Sequence, residues 1–169
     1  MKTTYQKSTF LYASPLGTLE IEAEEGLPEG SSPGICALRF LPEEHRTMRE
    51  PPFPTGQNLL RQACQELEEY FAGKRKVFSV PLSVHGTEFQ ERVWKELQKI
   101  PYGTTCSYGQ LAAAIGKPKA CRAVGMANNR NPLPIFIPCH RVIGSNGKLV
   151  GYGGGLDIKE KLLKLEQEK

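Results

Sequence analysis

A cysteine, a histidine and an arginine occupy consecutive positions in "PIFIPCHRVIGSNG", residues 134–147, and these side chains could do chemistry together. A thiol becomes a useful nucleophile when its thiolate is stabilised, and a nearby imidazole or guanidinium does so by lowering the thiol pKa from about 8.5. Cys139 is therefore the candidate nucleophile and His140 its candidate base. Neighbours in an extended chain point to opposite sides, so direct contact between them needs a turn, and a bridging water is the more natural link. The imidazole then needs a third group to fix its tautomer. The last helical segment, "GLDIKEKLLKLEQEK", offers Glu160 and Glu166 for that task.

The elements that must position these groups lie in the C-terminal half. Leu133, Ile135, Phe136 and Ile137 form an apolar run that prolines keep extended, which predicts a buried strand with Cys139 at its end. Upstream, "TEFQERVWKELQKI" reads as a helix capped by Thr87, with Phe89, Val93, Trp94 and Leu97 as its core stripe. A short helix "SYGQLAAAIG", the turn "GKPKA" and a second helix "ACRAVGMANNR" then give a helix-turn-helix pattern. The second helix carries Arg122 and the small residues Ala123, Gly125 and Ala127, which admit either another helix or a large partner. In the final helix Ile158, Leu162 and Leu165 set the core stripe.

The N-terminal half reads as short strands, "STFLYAS", "GTLEIEAEE" and "GICALRFL". In the middle one Leu19, Ile21 and Ala23 alternate with Glu20, Glu22 and Glu24, the pattern of a sheet with one wet face. A Pro- and Glu-rich connection over residues 41–56 leads to a helix, "QNLLRQACQELEEYFAG", with Leu60, Cys64, Leu67 and Phe71 at helical spacing and a stop at Gly73. "VFSVPL" is a further strand or an extended linker.

Charge separates the halves. Residues 1–82 carry nine Lys and Arg against eleven Glu, whereas residues 83–169 carry thirteen against seven acidic residues. Between Leu97 and Leu156 there is no Asp or Glu, yet Lys99, Lys117, Lys119, Arg122, Arg130, Arg141 and Lys148 fall there. An acid-free basic stretch of that length is suited to phosphates, or is an ordinary solvated basic face. The five cysteines form no CxxC pair, and the N-terminus fits neither a signal peptide nor a membrane span. These features predict reduced thiols and a soluble, cytoplasmic or nucleoid-associated protein with no membrane partner.

The segment from Tyr102 to Glu166 resembles the O6-alkylguanine-DNA alkyltransferases, DNA repair proteins that move an alkyl group from guanine onto their own cysteine. "SYGQLA", "RAVG", "IPCHRV", the spaced "GY" and "GGL", and the helix "KLLKLE" match in order and spacing across about half the chain. The N-terminal half is similar only in general character to that family's small sheet-plus-helix domain. The fold class implied is α+β: a ribonuclease H-like support domain, residues 1–82, then a mostly helical, winged-helix-like domain with the helix-turn-helix, residues 83–169.

The resemblance implies that Cys139 accepts the alkyl group, activated by His140 through a water, with Glu166 holding the imidazole and Asn131 bracing the turn before the cysteine. Arg122 resembles the finger that fills the gap left by an extruded guanine, and Tyr108 the tyrosine that swings the phosphate and bonds the base. The carbonyls of Cys139 and Val142 would accept from the guanine amine, and Pro134, Gly153 and Gly154 would wall the alkyl group. Ala123, Ala127, Arg130 and Tyr152 complete the implied DNA- and substrate-binding set. The implied partner is alkylated duplex DNA, bound as a monomer through the minor groove and largely without sequence preference, with O4-alkylthymine as a second substrate. Each molecule would act once, and no cofactor is expected. Two departures matter. Gly153 stands where some members carry serine, although its backbone N–H survives. Cys36, His45 and His85 lack the spacing of the zinc site some members hold, so no metal is expected. A lesion-binding relative without the nucleophile and a helix-turn-helix regulator are the rival readings. Cys139 speaks against the first, and the few long polar side chains of "RAVGMA" against the second.

Overall fold

The structure is a computed structural model that describes residues 6–25, 32–43 and 58–168. Most of the 41–56 connection, His45 with it, lies outside the described residues. The chain divides into two compact units, Met1–Val84 and His85–Lys169.

In the first unit β1 (Gln6–Ser14), β2 (Gly17–Glu25) and β3 (Gly34–Phe40) form an antiparallel sheet in that order. The period of two sends Leu19, Ile21 and Ala23 inward, where α1 (Asn58–Phe71) covers them with Leu60, Cys64, Leu67 and Tyr70. On the other face Glu20 and Glu22 pair with Arg39 at 2.8 and 3.2 Å, and Lys7 reaches Glu22 at 2.9 Å. Glu24 breaks the expected alternation. The register shifts between Glu22 and Ala23, and Glu24 is buried, accepting a hydrogen bond from the Ser83 hydroxyl.

Gly73, at φ 74°, ends α1 in the left-handed conformation that favours glycine. The "VFSVPL" stretch then runs extended beside β3. Ile35 donates to the Pro81 carbonyl and Ser83 donates to the Ile35 carbonyl, both at 2.8 Å. Glycine at 34 makes this approach possible, since a Cβ there would lie 2.8 Å from Leu82 backbone carbon. From α1 the buried Glu66 carboxylate accepts from the amides of Ser79 and Val80 at 3.0 and 3.1 Å, pinning the same segment.

The second unit is mostly helical. α2 (Glu88–Leu97) opens with a capping box in which Thr87 and Gln90 bond reciprocally, and it buries Val93, Trp94 and Leu97. A second capping box, Ser107 with Gln110, starts α3 (Tyr108–Ala114) directly after the two-residue strand β4 (Cys106–Ser107). Gly116, at φ 76°, ends the α3 segment, and the tight turn delivers α4 (Cys121–Asn129). α4 packs on α2 and α3, and Trp94 Nε1 donates to the Ala127 carbonyl at 2.8 Å. This is the helix-turn-helix of the sequence pattern. A single 3₁₀ turn, Cys139–Arg141, leads into β5 (Val142–Ile143), which pairs in parallel with β4, and α5 (Leu156–Glu168) closes the unit.

Two expectations are corrected here. The run from Leu133 to Ile137 is buried but is not a strand. Ile137 donates back to the Leu133 carbonyl at 2.8 Å and Ile135 has φ 76°, so the chain turns where its composition suggested extension. A β-branched residue in that region is strained, and burial of Ile135 to 1% exposure is what holds it there. In α5 the buried positions are Lys159, Leu162 and Glu166, one step round from the expected stripe of Ile158, Leu162 and Leu165. The inward face of α5 is therefore largely polar.

Candidate active site

Cys139 begins the 3₁₀ turn and is 4% exposed. Asn131 organises the approach: its Nδ2 donates to the Ile137 carbonyl at 2.8 Å and its Oδ1 accepts from the Leu133 amide at 2.9 Å, closing the loop before the cysteine. Asn128, buried on α4, adds Nδ2 to the Cys139 carbonyl at 3.5 Å. Burial pushes the Cys139 thiol up to about 11, and the Asn131 amide, the Lys159 charge and the amides of the turn pull the other way. At neutral pH Cys139 therefore rests as a protonated thiol.

The turn answers how adjacent residues serve one site. His140 is fully buried and its Nε2 lies 2.7 Å from Glu166 Oε1 on α5. Glu160, the alternative carboxylate, faces solvent and pairs with Lys164 at 3.3 Å. Burial opposes ionisation of Glu166, but hydrogen bonds from His140 and Arg141 bring its carboxyl down to about 2. An ionised carboxylate only accepts, so Nε2 carries the proton and Nδ1 is left as the acceptor. Burial holds the His140 pKa below its ordinary value, which keeps the ring neutral. Nδ1 is buried and has no protein hydrogen-bond partner, and no direct hydrogen bond joins the ring to the Cys139 sulfur. A neutral ring with its Nδ1 acceptor open in this way can take up a proton there.

Arg141 falls in the acid-free basic stretch, but the structure buries it. It is 6% exposed, its Nε and Nη2 donate to Glu166 at 2.9 and 2.8 Å, and its Nη1 donates to the Ile100 carbonyl at 2.6 Å. Opposite charge within hydrogen-bond reach explains both its burial and the low Glu166 pKa.

Beside this relay, Tyr108 at the start of α3 donates its hydroxyl to the Val150 carbonyl at 2.8 Å. The loop that follows carries Tyr152, Gly153 and Gly154, with Gly151 at φ 52° against the Asn129 side chain. Arg122, Ala123 and Met126 on α4 and Arg130 at its C-cap are all exposed and share one face by their spacing. Ala127 does not join them. At 2% exposure it belongs to the core under Trp94, which removes it from the binding surface that the sequence assigned it to. Val142 is fully buried, and Pro134 is half-buried.

Sequence reasoning missed four residues here: Asn128, the exposed Met126, the inward role of Arg141, and Lys159. Met126 sits four residues from both Arg122 and Arg130, a spacing that could have found it. Nothing in the sequence marks Lys159, because a lysine on an amphipathic helix is ordinarily solvated. All five cysteines are unpaired. Among the described residues no group of three His, Cys, Asp or Glu side chains could hold a metal ion, and no helix is long and apolar enough to cross a membrane.

A buried cysteine served by a carboxylate-held histidine, beside a helix-turn-helix with an exposed basic face, defines a DNA-binding protein whose chemistry is a thiol's. Residues 88–168 match the DNA-binding domain, and residues 9–84 the ribonuclease-like domain, of the family described as 6-O-methylguanine DNA methyltransferase. The methylated-DNA–protein-cysteine methyltransferase of Methanosarcina acetivorans is 48% identical over 156 residues, 92% of this chain and 96% of that protein. The constitutive enzyme of that name from Bacillus subtilis is 60% identical over 109 residues, 64% of this chain and 66% of that protein. Among solved structures, O6-methylguanine methyltransferase of Mycobacterium tuberculosis has a TM-score of 0.77 at 42% identity, covering 96% of this chain and 94% of that one. The Mycobacterium tuberculosis protein OGT in complex with DNA has a TM-score of 0.76 at 45% identity, over 96% and 92% of the two chains. The chain belongs to the 6-O-methylguanine DNA methyltransferase family.

Proposed function

We propose that this chain is a DNA repair methyltransferase that transfers the alkyl group of O6-alkylguanine in DNA irreversibly to its own Cys139. The observation that carries this is the arrangement at one tight turn: a thiol at Cys139, a neutral His140 with Nδ1 unengaged by protein, and Glu166, from α5, fixing the tautomer at 2.7 Å. His140 takes the thiol proton through a water, the thiolate forms an S–C bond to the alkyl carbon, and the C–O6 bond breaks. The electron pair left on guanine is stabilised by hydrogen-bond donors, the Tyr108 hydroxyl and the Gly153 amide, and a proton completes the restored base. The chemistry of these residues needs no redox partner. A thioether has no easy route back, so one molecule repairs one lesion.

An O6-alkyl group inside the duplex cannot be reached in line by a buried sulfur, so the base is extruded, at an energetic cost of a few kcal/mol. Arg122, exposed on α4, fills the space it leaves, with Ala123 and Arg130 against the backbone. The small Ala123 on that face suits close approach to the minor groove, and phosphate contacts make binding largely indifferent to sequence. Pro134, Gly153 and Gly154 wall the alkyl group, Tyr152 flanks them on the same loop, and the Val142 carbonyl accepts from the base. The Cys139 carbonyl already accepts from the Val142 amide and from Asn128. O4-alkylthymine is a second substrate, and binding is monomeric.

Titration of the protein with duplex carrying methyl-labelled O6-methylguanine tests the reading. Label on the protein should saturate at one per chain. Continued turnover, or binding without transfer, would contradict it.

A further inference from the structure

Lys159 is fully buried on α5. Among the described residues no carboxylate lies within ion-pair distance of it. Its ammonium donates instead to two consecutive carbonyls, Val150 at 3.0 Å and Gly151 at 3.3 Å. An ammonium taken out of water without an anion is costly, and burial pulls its pKa down. Such a group persists only where its hydrogen bonds do something that an apolar residue could not.

Those bonds converge with another. The Val150 carbonyl also accepts from the Tyr108 hydroxyl at 2.8 Å, and the Lys159 ammonium sits 5.9 Å from the centroid of the Tyr108 ring. Both side chains are within electrostatic reach of the Cys139 sulfur. Two ties from two helices therefore end on one carbonyl at the root of the loop carrying Tyr152, Gly153 and Gly154. If the Tyr108 hydroxyl turns to an incoming base it must release Val150, and the other tie is then the one that remains. Within that loop Gly155 donates to the Tyr152 carbonyl at 3.0 Å, while Gly151 and Gly155 take positive φ, 52° and 97°, and Val150 is 52% exposed.

We infer that Lys159 is a positioning residue: it clamps the Val150 and Gly151 carbonyls so that the loop keeps its place beside Cys139 while the Tyr108 hydroxyl is released to the substrate. This rests on Cys139 as acceptor and Tyr108 as donor to the base. The clamp gives the otherwise unpaired ammonium a purpose and explains why the inward face of α5 is polar at this position.

Lys159→Met removes the ammonium and keeps a long unbranched side chain. Transfer from an O6-methylguanine duplex at saturating DNA should fall by about tenfold or more, as a misplaced first contact does. The DNA concentration giving half the maximal rate should stay within about twofold, because a buried side chain contributes no binding contact. Iodoacetamide, a small reagent that needs no DNA, should alkylate Cys139 faster than in the unsubstituted protein, because the loop opens. Opposite movement of the two rates is the signature of a clamp. Parallel slowing of both would mean that the ammonium acts on the thiolate charge, and unchanged rates would mean that it does neither; each overturns the proposal. Lys159→Gln, which keeps a shorter donor, should fall between the two proteins. A loop clamp is not needed for the core to form, so unfolding of both variants also overturns it. Absence of methyl uptake by the unsubstituted protein would remove the underlying reading and leave the iodoacetamide comparison intact.

Discussion

His140 Nε2 and Glu166 Oε1 lie 2.7 Å apart, and the same carboxylate is held from its other side by Arg141. One carboxylate thus serves a neutral ring and a permanent cation at once. The guanidinium keeps Glu166 ionised, and the ionised carboxylate keeps the His140 proton on Nε2, with Nδ1 turned to the chemistry.

Glu166→Gln should therefore destabilise the second unit by about 3 kcal/mol, because Arg141 is left buried without its anion. The Glu166 carboxyl titrates at about 2 in the folded chain against an ordinary 4.5. Its contribution is complete above that ordinary value and is lost progressively as pH falls from there through about 2. Buried neutral His140 acts in the same direction, since only the unfolded chain takes up its proton readily in mild acid. Urea midpoints measured from neutral to acid pH should fall in the unsubstituted protein, with a shallower fall in Glu166→Gln. Equal slopes would mean that the pair does not form.

Reaction of Cys139 with iodoacetamide should keep rising well past the pH at which an ordinary thiol levels off. Burial moves its pKa from 9.0 to about 11, so the thiolate fraction is still growing across that interval. The rate profile, with Cys139 alkylation followed by peptide mass, should still be climbing steeply above pH 9.0, where a thiol of ordinary pKa begins to level off. A plateau near neutrality would mean that the resting site already holds a thiolate.

Arg122→Ala should weaken repair in duplex DNA more than reaction with free O6-methylguanine base. In the proposed mechanism the exposed side chain on α4 acts only where a base has left a stack. Single-turnover rates on the two substrates make the comparison, and equal losses would take the finger role away from Arg122.

Much of this was legible in the residues. The period of two in β2, the two capping sequences and the helix-turn-helix spacing are local signals, and local signals survive folding. Adjacency of Cys139 and His140 was visible as well. What failed depended on distant partners. In sequence Glu24 continues the apolar and acidic alternation of β2, yet in the fold it is buried and bonded to Ser83, far along the chain. Arg141 reads as one more surface cation until Glu166 of α5 is brought beside it. Ile135 reads as a strand residue, and only the packing around it sustains the positive φ that makes the turn. Lys159 follows the same rule: its acceptors are backbone carbonyls, which carry no sequence signal. The residues alone leave Glu160 and Glu166 open; the resemblance points to Glu166, and the helix phase set by packing turns that residue inward and Glu160 to solvent.

The most direct measurement is intact mass and peptide mapping after incubation with a duplex containing O6-methylguanine, for the unsubstituted protein and for Cys139→Ala. A gain of one methyl group confined to the peptide bearing Cys139, absent from Cys139→Ala although that variant still binds the duplex, is the expected result. A methyl group on another cysteine, or an unmodified protein bound tightly to the lesion, would contradict the assignment of Cys139 as acceptor.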